Sequence, residues 1–367
     1  MKRLNVFILT ITVFSAMLFM SCNNNGTKNG SDTIKIGVVV PLSGNGATIG
    51  GYSKEGVQMA VDEINAKGGL LGKQIVIEVQ DSKSDPKEGV NIIKNMMSEK
   101  QKPFMVYSII SGVTMAMRPE TEANKMILMA AVGTDKFIPN ASYTLRNYVS
   151  GTTIGVHIAP FIKDSLKVKM VSIFYANNEY STSVKNGVEQ KCKEAGLSIQ
   201  FTQPFDEKIP DYKSLVAASI NDKTECIFID GIGNGMGSMI KQIRESGYKG
   251  LIVSDPIIKF PDVMTAAGDA IKGVYYMDFA FDENSSDPTT KAFVDSFKAK
   301  FNSTPANFAV ISYEGMKMLL ETINKIKTLD NDKIIAAMNG VKDFQGVFGL
   351  ISVKNRELQF IYTYKRF

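Results

Sequence analysis

The sequence is poor in the residues that most often do chemistry: it has one histidine and three cysteines among 367 residues. A Ser-His-Asp triad would have to use that histidine, His157, and no G-x-S-x-G turn presents a serine to it. His157 sits in GTTIGVHIAPFI, a helical context where an ordinary helix histidine is the simpler reading. Cys192 lies in a helical pattern and Cys226 in a strand pattern, and with His157 they show no metal-ligand spacing. They read as buried thiols, with a single Cys192–Cys226 disulfide as the alternative. Paired carboxylate motifs are missing as well. The net charge of +5 is mild, Lys2 and Arg3 supply two of it, and no Lys/Arg cluster exists, which argues against a nucleic-acid partner.

Phosphate loops are missing too. PLSGNGATIGG, Pro41 to Gly51, lies between a strand-like and a helix-like run. Gly44 and Gly46 have dinucleotide spacing, but Ile49 stands where the third glycine belongs. In DGIGNGMGS, Asp230 to Ser238, Met236 or Ser238 breaks the same fingerprint, and no G-x-x-x-x-G-K-[ST] occurs. The sequence therefore implies no cofactor and no metal, and gives no sign of an enzyme.

What is present is a globular chain, 44% apolar and 22% charged, long enough for two ordinary domains. Its first 22 residues read as a secretory signal: Lys2 and Arg3, an apolar stretch from Leu4 to Met20, then Ser21-Cys22. This end resembles a bacterial lipoprotein cleavage site, although Phe19 stands where leucine is preferred. The resemblance implies lipid on Cys22 and a flexible tether over 23–32. A membrane-spanning anchor is the alternative, and both place the rest outside the cytoplasm.

From residue 33 strands and helices alternate. Ile34–Val40 is a nearly continuous apolar strand, as expected when helices cover both faces of a sheet. Val57, Ala60, Val61 and Ile64 follow helical spacing up to Gly68-Gly69. QIVIEVQ, FMVYSII and MILMAAV read as further strands. A second block starts with the strand Val168–Ala176 and a helix over 181–195, and continues through the strands IQFTQPF, TECIFID, KGLIVSD and GVYYMDF. Helices are expected near 289–301, 306–327 and 331–339, and a closing hairpin turning at Lys354-Asn355. Two such blocks predict an α/β protein with two doubly wound sheets.

IKIGVVVPLSG, then Gly50, Gly56, Ala60, INAKGGLLGK (Ile64 to Lys73), Asp81 and Asp85-Pro86 resemble the periplasmic leucine/isoleucine/valine-binding proteins, the receptors of amino-acid ABC importers. KMILMAAVGT and GMGSMIKQIRESG extend the resemblance, which covers about residues 33 to 367. It implies the type I periplasmic binding fold, with two lobes joined by three crossovers near residues 148, 281 and 343. Lobe 1 would hold 33–148 and 282–342, and lobe 2 would hold 149–281 and 343–367. The glycine loop at 41–51 then becomes one lip of a ligand cleft.

By the same resemblance, Ser111 and Thr134 fall where the family holds the ligand carboxylate and part of the ammonium, helped by backbone groups of Val132 and Ile109. A serine opening a helix also suits an anion in its own right, while plain capping is the simpler role. The family's ammonium-binding glutamate falls near Asp255, with Asp230 as a rival. Tyr180 and Phe308 align with aromatics that close on the ligand. Ile49 and Ile232 replace family aromatics, and Ser84 and Ile110 stand where leucine-binding members often carry a disulfide. The expected function is an extracytoplasmic, lipid-anchored, monomeric solute receptor serving an ABC permease, in which ligand contacts from both lobes favour closure. The alternative is a sensor ectodomain signalling to a membrane partner. An extracytoplasmic hydrolase would need a catalytic His157, which no motif supports.

Overall fold

The computed structural model describes residues 33–44, 46–209 and 211–367. The leader, the Cys22 lipidation site and the tether lie outside the described residues.

The expected alternation is found. The first block runs β1 (Thr33–Val40), α1 (Ala47–Ala66), β2 (Gln74–Asp81), α2 (Pro86–Ser98), β3 (Met105–Ile109), α3 (Ser111–Ala123), β4 (Ile127–Ala131) and β5 (Thr144–Arg146). The second runs α4 (Gly151–Pro160), β6 (Met170–Ala176), α5 (Glu179–Ala195), β7 (Ser198–Phe205), α6 (Lys213–Ser219), β8 (Cys226–Asp230), α7 (Gly233–Glu245), β9 (Leu251–Ser254), α8 (Pro261–Ala267) and β10 (Tyr275–Phe279). Then follow α9 (Pro288–Phe301), α10 (Asn307–Ile326), α11 (Asn331–Asn339), β11 (Phe344–Gly346), β12 (Gly349–Lys354), β13 (Glu357–Gln359) and β14 (Tyr362–Arg366).

Helix starts follow capping chemistry. Asp85 accepts from the Lys87 amide at 2.7 Å, with Pro86 opening α2. Asn178 caps α5 through the Ser181 amide at 2.8 Å, and Gly196 closes that helix at φ 68°. The central strands β3, β4 and β8 are buried at every position, because helices cover both faces of each sheet.

The two sheets share one plan. The first has the order β2-β1-β3-β4-β5-β13-β12-β11, and the second β7-β6-β8-β9-β10-β14. In each, the first strand of the block lies between the second and the third. The strand order therefore reverses between β1 and β3, and again between β6 and β8. Open parallel sheets bind ligands beyond the carboxyl ends of strands at such reversals.

The C-terminal segment departs from the expectation. β12 and β13 pair antiparallel, β13 joins β5 of the first sheet, and only β14 joins β10 of the second. The third crossover is therefore at 360–361 and not near 343, and residues 344–359 belong with lobe 1. The hairpin turns at Asn355-Arg356, one residue later than expected. Both residues have positive φ, 52° and 64°, as a two-residue turn matched to strand twist requires. The three crossovers meet in an aromatic cluster: Phe279 lies 5.6 Å from Tyr148 and 5.3 Å from Phe360, centroid to centroid. Helix α10 returns to the first lobe and packs so closely on α1 that a Cβ on Gly56 would meet the Ala309 carbonyl at 2.1 Å.

Candidate functional site

Loops at the two reversal points face each other across a cleft. Its inner part is a cavity of about 20 Å³, little more than one water. Ile110, Val132 and Phe308 line it from the first lobe, and Tyr180, Ile232 and Ile257 from the second. Ile49, Ser111 and Tyr148 also line it, with Ala131 and Gly133 on either side of Val132 in the chain. An outer compartment of about 740 Å³ opens beyond it, between Lys83, Asp85 and Gly112 on one side and Asn178, Glu207 and Lys208 on the other. Ile110, Ser111, Tyr180 and Ile232 line both.

The chain reaches Ser111 through a strained residue. Ile110 has φ 68°, in the left-handed region that a β-branched side chain rarely adopts. That bend ends β3 and starts α3, with the Thr114 amide donating to the Ile110 carbonyl at 3.0 Å. Ser111 is 4% exposed, yet its hydroxyl has no hydrogen-bond partner. The buried hydroxyl of Tyr148 likewise makes no hydrogen bond of normal geometry, although the Tyr180 hydroxyl is near. Buried polar atoms are normally paired, so two orphan hydroxyls on one cavity wall mark it as built for a polar guest.

Tyr180 enters from the first turn of α5 and crosses to the other lobe. Its ring covers Gly133 so closely that a Cβ there would lie 2.3 Å away. Its hydroxyl donates to Asp255 Oδ2, and the Ile257 amide donates to Oδ1 at 3.2 Å. Burial raises the Asp255 pKa to about 6. Burial, followed by the Asp255 charge, raises that of Asp230 well above the carboxylate range. Neither Asp230 oxygen has a hydrogen bond of normal geometry, although Ser181 and Asp255 are close enough to shift its titration. Two buried carboxyls this close do not both ionise, and Asp230 keeps the proton.

Of the residues the sequence singled out, Ser111, Val132, Tyr180 and Phe308 line the inner cavity. Asp255 and Asp230 are fully buried and do not line it; Asp255 sits beyond the Tyr180 hydroxyl. The Thr134 hydroxyl donates to Glu179 Oε1 at 3.1 Å. Arg146 Nη1 and Nη2 take the Val132 and Thr134 carbonyls at 3.0 and 2.8 Å, and its Nε pairs with Glu357 at 2.9 Å. The Ile109 carbonyl accepts from Ser108 Oγ at 3.2 Å and Thr114 Oγ1 at 3.3 Å. Those backbone groups already have protein partners. Ile49 and Ile232, where the sequence lacks family aromatics, both stand in the cavity wall.

Sequence reasoning missed Tyr148, Ile257 and Glu207. Tyr148 follows a three-residue strand and read only as a crossover. Glu207 sits in a polar loop, DEKIPD, that looks like surface. The glycine loop at 41–51 is held from behind. The Leu42 amide and the Ser43 hydroxyl donate to Asp81 at 2.8 and 2.6 Å, so these two donors serve a protein carboxylate and no phosphate. Gly50 is required there because a Cβ would meet the Pro41 carbonyl at 1.6 Å. Cys192 and Cys226 are free and buried. Among the described residues no group of three His, Cys, Asp or Glu side chains gathers as a metal site, and no helix is long and apolar enough to cross a membrane.

Two α/β lobes on three crossovers, closing on a small cavity with buried orphan hydroxyls, define a cleft receptor for small solutes. The family comparison agrees. The "Periplasmic binding protein" family profile matches residues 33–363, and the chain belongs to that family of extracytoplasmic solute-binding proteins. Among curated relatives, a leucine-, isoleucine-, valine-, threonine- and alanine-binding protein of Pseudomonas aeruginosa is 24% identical over 311 residues, 84% of this chain and 82% of the relative. Leu/Ile/Val-binding protein homolog 7 of Brucella abortus is 28% identical over 332 residues, 86% and 83%. Among solved structures, a leucine-binding protein LivK from Thermotoga maritima superposes with TM-score 0.84 at 22% identity, covering 91% of this chain and 95% of that one. A solute-binding protein from Rhodopseudomonas palustris in complex with 3,4-dihydroxybenzoic acid does so with TM-score 0.80 at 20% identity, covering 91% and 93%. At these identities the structures establish the shared fold.

Proposed function

We propose that this protein captures a neutral, aliphatic amino acid between its lobes and delivers it to an ABC importer, anchored outside the cytoplasm by lipid on Cys22 and acting as a monomer. The observation that carries this reading is Ser111. Its hydroxyl is buried, unpartnered and set at the N-terminus of a 13-residue helix, which is a donor set suited to a carboxylate. Ile49, Ile110, Val132, Ile232, Ile257 and Phe308 form an aliphatic and aromatic wall suited to a branched side chain. In this reading Asp255 acts through Tyr180, holding its ring over the solute without touching it. Thr134 acts likewise, through its hydrogen bond to Glu179, at the seam between the lobes. The names of the curated relatives support an amino acid over an aromatic acid.

The inner cavity is too small for leucine as it stands, so binding requires the lobes to part and reclose with the solute's body inside. Only contacts made to both lobes at once stabilise the closed state selectively. The test is calorimetric and thermal-shift screening of the full-length protein against the twenty amino acids and against benzoates. A raised melting temperature with leucine, isoleucine or valine is expected. A shift with benzoates alone would replace the amino-acid assignment with an aromatic-acid one. Radiolabelled uptake lost with the neighbouring permease gene would tie the binding to import.

A further inference from the structure

We propose that Glu207 supplies the counter-charge for a cationic group of the solute, in the outer compartment of the cleft. The solute is then a zwitterion that spans from Ser111 on the first lobe to Glu207 on the second. This rests on the solute-binding reading above and deepens it.

The sequence pointed to Asp255 for this role, but Asp255 is fully buried behind the Tyr180 hydroxyl and lines neither compartment of the cleft. Glu179 is engaged as well: it pairs with Lys136 at 3.1 Å and accepts from Thr134. Asp85 and Asp206 line the compartment too, but both are exposed, and Asp85 also caps α2 through the Lys87 amide. Glu207 differs from these. It lines the same compartment as Ser111, Gly112, Tyr180 and Ile232. Its carboxylate is fixed, with Ile232 N donating to Oε1 and Asn178 Nδ2 donating to Oε2 at 3.0 Å. A carboxylate offers about four acceptor positions, so roughly two remain for a guest. Gly231 leaves space beside it, since a Cβ there would come within 3.3 Å of Oε1.

Among the described ion pairs none involves Glu207. Lys208 favours its charged form weakly and Asp206 opposes it. Burial pushes its pKa up to about 7, against the hydrogen bonds from Ile232 and Asn178, which favour the charged form. A half-buried carboxyl that is held by two donors and lies outside every described ion pair carries a desolvation cost in the solute-free protein. The same arrangement becomes favourable once a guest brings the ammonium. The outer compartment, at about 740 Å³, has room for an amino-acid backbone, while the inner cavity takes the apolar end.

The test uses the full-length protein and calorimetry. The tightest of the twenty L-amino acids is compared with its desamino acid; for leucine this is 4-methylpentanoate. Glu207→Gln is expected to weaken the amino acid at least 30-fold while changing the desamino acid less than threefold. Glu207→Asp, which keeps the charge, is expected to recover part of the loss. If Glu207→Gln binds the amino acid within threefold of wild type, the cation lies elsewhere and only the Glu207 assignment falls. If both variants lose both ligands equally, Glu207 merely supports the loop, and the inference is overturned. If the wild type binds the desamino acid as tightly as the amino acid, the cation subsite is overturned while solute binding stands. If no amino acid binds, the amino-acid reading and this inference fall together.

Discussion

Asn307, the first residue of α10 in the first lobe, donates a hydrogen bond of 2.8 Å to Oδ1 of Asp278 on β10 of the second lobe. Asp278 is fully buried and its other oxygen takes Lys259 and Lys365 at 3.3 and 3.0 Å. The next residue after Asn307 is Phe308, which packs 5.1 Å from Phe260 of the second lobe and lines the inner cavity. One helix end therefore carries both an inter-lobe latch and part of the cavity wall.

Replacing Asn307 with alanine removes the latch. The expected loss is about 1 kcal/mol of closed-state preference, or about fivefold in apparent solute affinity. Small-angle scattering of the solute-free variant should show a larger radius of gyration than wild type. An unchanged radius and affinity would mean that the hydrogen bond does not bias closure.

Ser111→Ala separates binding from folding. Because the hydroxyl is buried without a partner, its removal should leave the melting temperature unchanged or slightly raised. Solute affinity should fall by about 1–2 kcal/mol, between fivefold and thirtyfold. A loss of stability with intact binding would reverse this assignment.

Gly133→Ala places a Cβ 2.3 Å from the Tyr180 ring, across the seam between the lobes. The ring cannot then close over Gly133, and affinity should fall at least tenfold. The open form does not need that contact, so thermal stability without solute should change much less. Tyr180→Phe is the complementary variant. It keeps the ring but frees Asp255, and should weaken binding less than Gly133→Ala does.

Stability should fall as pH rises through neutrality. Glu314 on α10 is fully buried, accepts from the Val347 amide at 2.7 Å, and leaves Oε2 unpartnered. Burial raises its pKa to about 7 from 4.5. The folded protein therefore binds more protons than the unfolded chain between those values, and stability declines with increasing pH across that window. Glu207 and Asp255, also raised, contribute with the same sign. Melts at pH 5 and pH 8 should show the decline, and Glu314→Gln should flatten part of it. Equal slopes for variant and wild type would assign the effect to other groups.

Most of the fold was legible because strand burial and helix capping are local. The apolar runs became the central strands, Asp85-Pro86 started a helix, and Gly196 ended one. The C-terminal segment was not legible. Nothing in QGVFGLISVKNRELQFIYTYKRF says which sheet each short strand will join, since pairing is decided by distant edges. The site was half legible. Ser111, Val132, Tyr180 and Phe308, singled out in the sequence, line the inner cavity, while Tyr148 read as a crossover and Glu207 as surface although each lines the cleft.

By itself the sequence determined the alternation of strands and helices, the absence of phosphate loops and the family. Those follow from periodicity, spacing and motif, which a chain carries wherever it goes. Only the tertiary structure decided which acids face the cleft. A carboxylate's role depends on who reaches it first: Tyr180 reaches Asp255, Lys136 reaches Glu179, and Glu207 stays outside the described ion pairs while lining the cleft. These are relations between residues far apart in the chain, and burial sets their strength.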